Sequence, residues 1–344
     1  MSLQVNDSNP DEFKMKQEKP AGPTKDGTYA KSMGGTELMN KALLERVDKD
    51  LLEQFNIIKS RVREVSDEKP NILWLHDLWN DPENQHLSDA EKRKRFERLI
   101  FVSNYQMQTY MLAYGIPYSE TFVLKNAIDP ITIPKNAKDG EQIRLIYHTT
   151  PHRGLNIAVA AVQKLAETMK DKIHFDVYSS FNAYGWPHRD EPFKEIFKQI
   201  KEHPNMTYHG FQPNDVVRKA LESAHIFAYP SIWTETSCIA AIEAMSAGCQ
   251  IVCPNLGALS ETTGGFATMY HWHEDLQTHA NIFVNFLQGA INSHRSEDIN
   301  NKLLFQKNWV DNFYNWELRA NEWTGMLQGV LELMKQRKKV DDSK

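Results

Sequence analysis

Short apolar runs alternate along the chain with longer segments in which apolar residues recur at helical spacing. The runs are rich in Ile, Leu, Val and Phe, and each is followed by a polar or periodic segment. This alternation predicts an α/β fold with parallel strands and helices on the faces of the sheet. In the first half of the chain the predicted strands are 55–60, 71–76, 99–103 and 121–125.

The pattern is interrupted at residues 127–140, which are rich in Pro, Asn, Lys and Gly. Such a shift in composition predicts a linker between two domains. The pattern then restarts, with strands predicted at 144–148, 174–178, 206–208, 225–229 and 250–253. Helices are predicted at 37–50, 155–169, 192–202, 213–223, 239–247 and 309–335.

These elements predict three parts of the chain. Residues 1–30 form a polar N-terminal arm, residues 31–130 form a first Rossmann-like domain, and residues 140–309 form a second. The C-terminal helix, at about 310–335, is assigned to the first domain. In parallel sheets of this kind ligands bind beyond the carboxyl ends of the strands. Motifs at strand-to-helix junctions are therefore the first candidates for function.

Composition narrows the class of protein. The 344 residues include 40 Lys and Arg against 45 Asp and Glu, so the chain lacks the charge footprint of a general nucleic-acid binder. It has no uninterrupted apolar run of about 18 residues, and its N-terminus lacks the apolar core of a secretory signal. The three cysteines lie close together, at positions 238, 249 and 253, and predict buried thiols. We therefore expect a cytoplasmic protein.

Residues 229–247 hold the strongest candidate site. An apolar strand leads into a polar loop and then into a helix of small residues, so the free amides of the first turn could bind a phosphate. Thr234, Thr236 and Ser237 stand where this helix would be capped. Glu235 lies in the loop, and Glu243 lies within an almost wholly apolar helix, where a charge is costly unless it is engaged. Glu243 either binds ligand hydroxyls, lies on an exposed stripe, or pairs with an arginine.

Other strand ends carry weaker signals. Arg153 follows the first strand of the second domain and could reach a diphosphate with its planar fork, or could be a surface arginine. Gly257 lies in the loop 254–265, which could approach a ligand or be a simple turn. In the first domain, Gly34 and Gly35 precede a helix, and His76 ends a strand.

Together these segments resemble a known family. The chain contains, in order, GGTE, LHD, VSN, KNAID, PHRGL, ETSCIAAIE and PNLGALSE. This order is similar to that of the retaining GT-B glycosyltransferases of family 4. The most specific element is the pair Glu235 and Glu243 with seven residues between them. The closing NWELRANEW is also similar, and the resemblance covers about residues 32–325.

The resemblance implies two Rossmann-like domains that face a central cleft, with acceptor bound mainly by the first and nucleotide-sugar donor by the second. The strand that usually precedes Gly-Gly is not evident, so the first domain looks trimmed. Glu243 would bind the ribose hydroxyls. Glu235 and His76 would contact the donor sugar. The amides of Thr236, Ser237 and Cys238 would bind the phosphates, and Arg153 would neutralise the leaving diphosphate. Gly34 and Gly35 would allow the donor to approach the first domain.

The implied reaction needs no metal and no other cofactor, because cations and helix N-termini stabilise the leaving group. Retention would proceed by front-face attack, with the leaving phosphate taking the acceptor's proton. One departure concerns His148, which stands where the family usually has a second cation. Either part of the diphosphate charge goes uncompensated, or His148 is protonated when donor binds.

Two other functions on the same fold remain alternatives: a sugar-nucleotide epimerase-like enzyme and a non-catalytic nucleotide-sugar-binding protein. The acceptor is left open among a glycan, a lipid, a protein and a modified nucleic acid. Residues 91–98 (Glu91 to Arg98) read EKRKRFER and are a candidate for peripheral membrane contact, although the interleaved glutamates favour a solvated helix face. Asp48 and Asp50 form an Asp-x-Asp string of the kind that metal-dependent glycosyltransferases use, but it stands at a helix end with no strand leading into it. The histidines at 271, 273 and 279 match no standard zinc pattern.

Overall fold

A computed structural model describes residues 32–343. Their contacts divide them into two units. The N-terminal unit comprises Gly34–Ile128 and the residues from Phe313 onward, and the C-terminal unit comprises residues 32–33 and Asp129–Asn312. The predicted arm at 1–30 lies outside the described residues. So does the segment in which a further first strand would precede Gly34.

The N-terminal unit contains a four-stranded parallel sheet in the order β1-β2-β3-β4. Its strands are β1 (Asn56–Lys59), β2 (Asn71–Leu75), β3 (Arg98–Phe101) and β4 (Thr121–Val123). Its helices are α1 (Gly35–Arg46), α2 (Lys49–Leu52), α3 (Ala90–Arg93), α4 (Asn104–Tyr114) and α12 (Trp316–Asp342). Every residue of β2 is buried, as expected for a central parallel strand covered on both faces.

Two predicted helices are divided by caps. The predicted helix 37–50 ends at Arg46, and the Asp48 side chain accepts a 2.8 Å hydrogen bond from the Leu51 amide to cap α2. The predicted C-terminal helix is likewise broken at Asn315, whose side chain accepts from the Leu318 amide over 2.7 Å. Side-chain caps at these positions satisfy amides that a continuous helix would bond internally. Helix α12 joins the core of the N-terminal unit through Trp323, whose buried ring meets Trp74 edge-on at 4.8 Å.

The C-terminal unit contains a six-stranded parallel sheet in the order β10-β9-β8-β5-β6-β7. Its strands are β5 (Ile143–Tyr147), β6 (Ile173–Val177), β7 (Met206–Tyr208), β8 (Ile226–Ala228), β9 (Gln250–Pro254) and β10 (Thr268–Tyr270). Its helices are α5 (Leu155–Met169), α6 (Lys194–Glu202), α7 (Asn214–Leu221), α8 (Ile239–Ser246), α9 (Leu259–Thr263), α10 (Leu276–Ser293) and α11 (Glu297–Phe313).

The order of these six strands is that of a Rossmann sheet. Counted from β5, it reads 3-2-1-4-5-6, and the direction of winding reverses between β5 and β8. Ligands of such sheets bind at this switch point. The nine predicted strands and the α/β class are confirmed in the described residues, whereas β10, α3, α4, α9, α10 and most of α11 were not predicted.

Candidate functional site

The loops that follow β5 and β8 meet at the switch point through an ion pair. Arg153 ends a short 3-10 helix, Pro151–Arg153, after β5, and Glu235 lies in the loop after β8. The Arg153 Nη1 donates to Glu235 Oε1 over 2.5 Å, and both side chains are largely buried. The Tyr229 hydroxyl donates to the same carboxylate oxygen. The carboxylate of Glu235 is thus fixed from two directions.

The backbones of three strand-end loops also pack against one another. Gly154 has φ +113°, and a Cβ there would lie 2.2 Å from the Pro230 carbonyl oxygen. Gly257 has φ +63°, and a Cβ there would lie 2.5 Å from the Glu235 carbonyl oxygen. The Ala258 amide donates to that same oxygen over 2.8 Å. Glycine is therefore required at both positions, both for its backbone conformation and for close approach.

The loop after β5 carries an unusual set of polar atoms. Each is buried and has no hydrogen-bond partner within residues 32–343. They are His148 Nε2, Thr149 Oγ1, Thr150 Oγ1, His152 Nδ1 and Arg153 Nε. Buried polar groups in folded proteins are nearly always paired, and each unpaired one costs about 1–3 kcal/mol. Five such atoms within six residues are available to a polar ligand.

Both histidines of this loop are neutral at pH 7. The His148 ring lies 4.6 Å from the Phe227 ring, and burial lowers the pKa of His148 to about 3. The His152 ring stacks on Phe181 at 5.0 Å, and burial together with the nearby Arg153 charge lowers its pKa to about 3. Within this loop the positive charge is therefore that of Arg153.

The start of α8 differs from the prediction. The helix begins at Ile239, and its N-cap is Cys238, which makes no side-chain capping bond. Thr234, Thr236 and Ser237 therefore lie before the cap, because the extended backbone continues to Cys238. The Cys238 side chain is buried, and burial raises the pKa of its thiol well above the usual range. The backbone of Thr236, Ser237 and Cys238 nevertheless lies directly before the first turn of α8, where the sequence predicts phosphate-binding amides.

Glu243 lies inside α8 and is only 5% exposed, so the alternative of an exposed stripe is wrong. It is paired with an arginine: Arg218 Nη1 donates to Oε1 over 3.0 Å. Asn214 Nδ2 also contacts this carboxylate, at 3.1 Å from Oε1 and 3.2 Å from Oε2. Burial raises the pKa of Glu243, and the hydrogen bonds and charge of Arg218, with Asn214, oppose that rise.

The remaining predicted site residues belong to the N-terminal unit. Gly34 is the N-cap of α1 and Gly35 is its first residue. His76 directly follows β2, and its ring lies 4.6 Å from the Trp74 ring. Burial lowers the pKa of His76 to about 3, and the charges of Lys59 and Arg61 add to that effect. His76 is thus a neutral imidazole at the carboxyl edge of this sheet.

Other candidates from the sequence have different surroundings. The basic run 91–98 is not one solvated helix face, because α3 ends at Arg93 and β3 begins at Arg98. Arg93 is buried, and it donates to Glu120 and to the Leu87 carbonyl over 2.7 and 2.9 Å. His279 is buried, with its Nε2 3.1 Å from the Tyr270 hydroxyl. Within residues 32–343, no helix combines the length and the apolar character needed to cross a membrane.

The part of the chain that contains the site is similar in sequence to a known family. Residues 130–277 match the family model described as glycosyl transferases group 1. This part of the chain is therefore similar in sequence to group 1 glycosyltransferases. It includes the Arg153, Glu235 and Glu243 sites, and it covers most of the C-terminal unit. No curated protein matches the chain in sequence.

Solved structures share the fold of most of the chain. A glycosyltransferase from Rickettsia africae ESF-5 matches with a TM-score of 0.64 at 16% identity, over 86% of this chain and 81% of that one. A sucrose-phosphate synthase from Thermosynechococcus elongatus matches with 0.60 at 14%, over 77% and 69%. Anabaena Alr3699/HepE in complex with UDP and glucose matches with 0.58 at 17%, over 76% and 72%. The fold is therefore GT-B, with two Rossmann-like domains, as the resemblance implied.

Three residues of the site did not emerge from the sequence. Tyr229 holds Glu235, while Arg218 and Asn214 hold Glu243. Arg218 and Asn214 lie four residues apart on α7, so helical spacing alone places them on the same face of the helix. Nothing local in the sequence indicates that α7 packs beside α8.

Proposed function

We propose that the chain is a retaining, metal-independent glycosyltransferase that moves a sugar from a nucleotide-sugar donor to an acceptor. The observation that carries this proposal is the loop after β5. It places five unpartnered buried polar atoms beside the Arg153–Glu235 ion pair, at the switch point of a Rossmann sheet. The match of residues 130–277 to the group 1 glycosyltransferase model and the similarity to the HepE complex with UDP and glucose support a nucleotide-sugar as the ligand.

In this account the C-terminal unit binds the donor. The backbone before α8 and the Arg153 guanidinium contact the diphosphate, and they stabilise the charge that develops when the glycosidic bond breaks. Glu235 contacts the donor sugar, while Glu243 accepts the ribose hydroxyls. His148, neutral in its buried position, contributes a hydrogen bond from Nε2 or accepts one there, instead of a positive charge.

In the N-terminal unit, His76 contacts the transferred sugar, and Gly34 and Gly35 leave room for the donor. The neutral state of His76 suits a hydrogen bond to a sugar hydroxyl. The acceptor hydroxyl attacks the front face of the sugar, and its proton passes to the leaving phosphate. No separate protein base is then required.

The test is donor turnover. The full chain is incubated with UDP-, GDP- and ADP-glucose in EDTA, and released nucleoside diphosphate and sugar are followed by NMR. We expect release from one donor, with the sugar appearing first in the donor's anomeric configuration. Release with the opposite configuration would overturn retention, and dependence on added metal would overturn metal independence.

A non-catalytic nucleotide-sugar-binding protein is the second candidate. It is favoured by the neutral His148, which leaves Arg153 as the cation of its loop. Binding of a nucleoside diphosphate without release from any of the three donors would favour this candidate over the transferase.

A further inference from the structure

Helix α7 presents two side chains to one buried carboxylate. Asn214 and Arg218 lie four residues apart, one turn along the same face of the helix. Both donate to Glu243 Oε1, at 3.1 and 3.0 Å, and Asn214 also reaches Oε2 at 3.2 Å. The apolar residues Val217 and Leu221 anchor the helix in the core. The polar pair is thus held toward α8 by the packing of α7.

The Arg218 side chain is fixed at both nitrogens of its fork. While Nη1 donates to Glu243, Nη2 donates to the carbonyl oxygen of Asp129 over 2.5 Å. A planar guanidinium held at two points has little freedom to rotate. Its orientation, and with it the orientation of the Glu243 carboxylate, is therefore determined by the protein alone.

The hydrogen bonds on the carboxylate are unequally distributed. Oε1 accepts two of those described and Oε2 accepts one, whereas each oxygen of a carboxylate has room for about two. Capacity therefore remains at Oε2. Because Glu243 is buried in an apolar helix, burial also favours its neutral form, and the Arg218 charge opposes this. A ligand hydroxyl could donate the further hydrogen bond that Oε2 has room to accept.

We propose that Arg218 and Asn214 are positioning residues that fix the Glu243 carboxylate and aim its Oε2 at the 2′-hydroxyl of a bound ribonucleotide. This inference rests on the proposed function, in which Glu243 contacts the ribose. The new element is that Arg218 and Asn214 on α7 determine the preference for ribose over deoxyribose.

The test compares ribose and deoxyribose ligands on the full chain. Dissociation constants for UDP, GDP and ADP, and for their 2′-deoxy counterparts, are measured by calorimetry on the wild type, R218M and R218K. For the nucleotide that binds, we expect R218M to lose about tenfold or more in affinity for the ribose form, as for a hydrogen bond to a charged group. The deoxy form should change less than twofold, and R218K should recover part of the loss.

The matched control is R144M. Arg144 also pairs with a buried carboxylate of the same unit, since its Nη2 donates to Asp176 over 2.9 Å. Its loss should leave the ratio of ribose to deoxyribose affinity unchanged, even if it lowers the melting temperature. An unchanged ratio in R218M would overturn the inference. If R218M left the ratio unchanged but E243Q lowered the affinity for the ribose form, the proposed function would stand without the role of Arg218. If the wild type bound no nucleotide, both the inference and the proposed function would be overturned.

Discussion

Gly154 lies so close to Pro230 that a methyl group on its Cα would stand 2.2 Å from the Pro230 carbonyl oxygen. The Ile232 amide also donates to the Arg153 carbonyl over 3.3 Å, so the loops after β5 and β8 are joined through their backbones. This close approach is what allows Arg153 to reach Glu235 across the switch point. The ion pair between Arg153 and Glu235 thus depends on a glycine at position 154.

Replacement of Gly154 by Ala should therefore destabilise the chain more than the backbone conformation alone predicts. Gly140 is the matched control, because its φ of +110° is nearly that of Gly154 but no atom lies within 4 Å of its added Cβ. We expect G140A to cost about 1–2 kcal/mol for the left-handed conformation, and G154A about 2 kcal/mol more for the clash. Chemical denaturation measures both. Equal losses would show that the two loops are not in close contact.

Loss of the Arg153 charge should weaken diphosphate binding, and it should also leave the buried charge of Glu235 without a partner. R153M leaves Glu235 without its cation, and breaking a buried pair costs about 3–5 kcal/mol. The double variant R153M/E235Q removes both charges. We expect it to recover most of the melting temperature but not the affinity for a nucleoside diphosphate. Recovery of both would show that Arg153 serves only to neutralise Glu235.

Stability should fall between pH 6.5 and pH 5. Burial lowers the pKa of His148 to about 3, so the unfolded chain binds a proton in this range that the folded chain does not. The free energy of unfolding therefore decreases as the pH falls below about 6.5, by about 1–2 kcal/mol per such histidine at pH 5. The variant H148Q should lose less stability over this range than the wild type does. An identical decrease in both would contradict the buried, neutral state of His148.

The cysteines should be inert in the folded chain. Cys238, Cys249 and Cys253 are buried, and burial raises the pKa of the Cys253 thiol to about 12. Reaction requires an accessible thiolate. We expect no modification by DTNB at pH 8 in native conditions and three equivalents in guanidinium. Rapid labelling of a native thiol would show that the region around α8 opens readily.

The sequence predicts the strands better than the connections between them. Buried parallel strands are continuous apolar runs, and this local signal located β1 to β9. Strand β10 has only three residues and lies at the sheet edge, where an apolar run is not required. Helix α10 was missed because its first turn, with Gln277 and His279, reads as a polar loop. Its N-cap, Asp275, accepts from the Thr278 amide and provided the signal that could have located it.

The site shows the same division between local and distant information. Glu235, Glu243 and Arg153 stand out because charged residues at strand ends or in apolar helices need a reason to be there. Their partners do not stand out. Tyr229 looks like part of a strand and Arg218 like part of a helix surface, and only the packing of the sheet brings them to the carboxylates. The neutral state of His148 also depends on burial, which spacing along the chain does not determine.

A thermal-shift screen of the full chain with UDP, GDP, ADP and CMP in EDTA tests directly whether the C-terminal unit binds a nucleotide. A ligand that binds only the folded state adds about 2.7 kcal/mol at 100 times its dissociation constant and raises the melting temperature. We expect a clear rise with one nucleoside diphosphate, independent of EDTA and much reduced in E243Q. No rise with any of the four would contradict the claim that the switch point of the C-terminal unit binds a nucleotide, and the roles given to Arg153, Glu235 and Glu243 would be wrong.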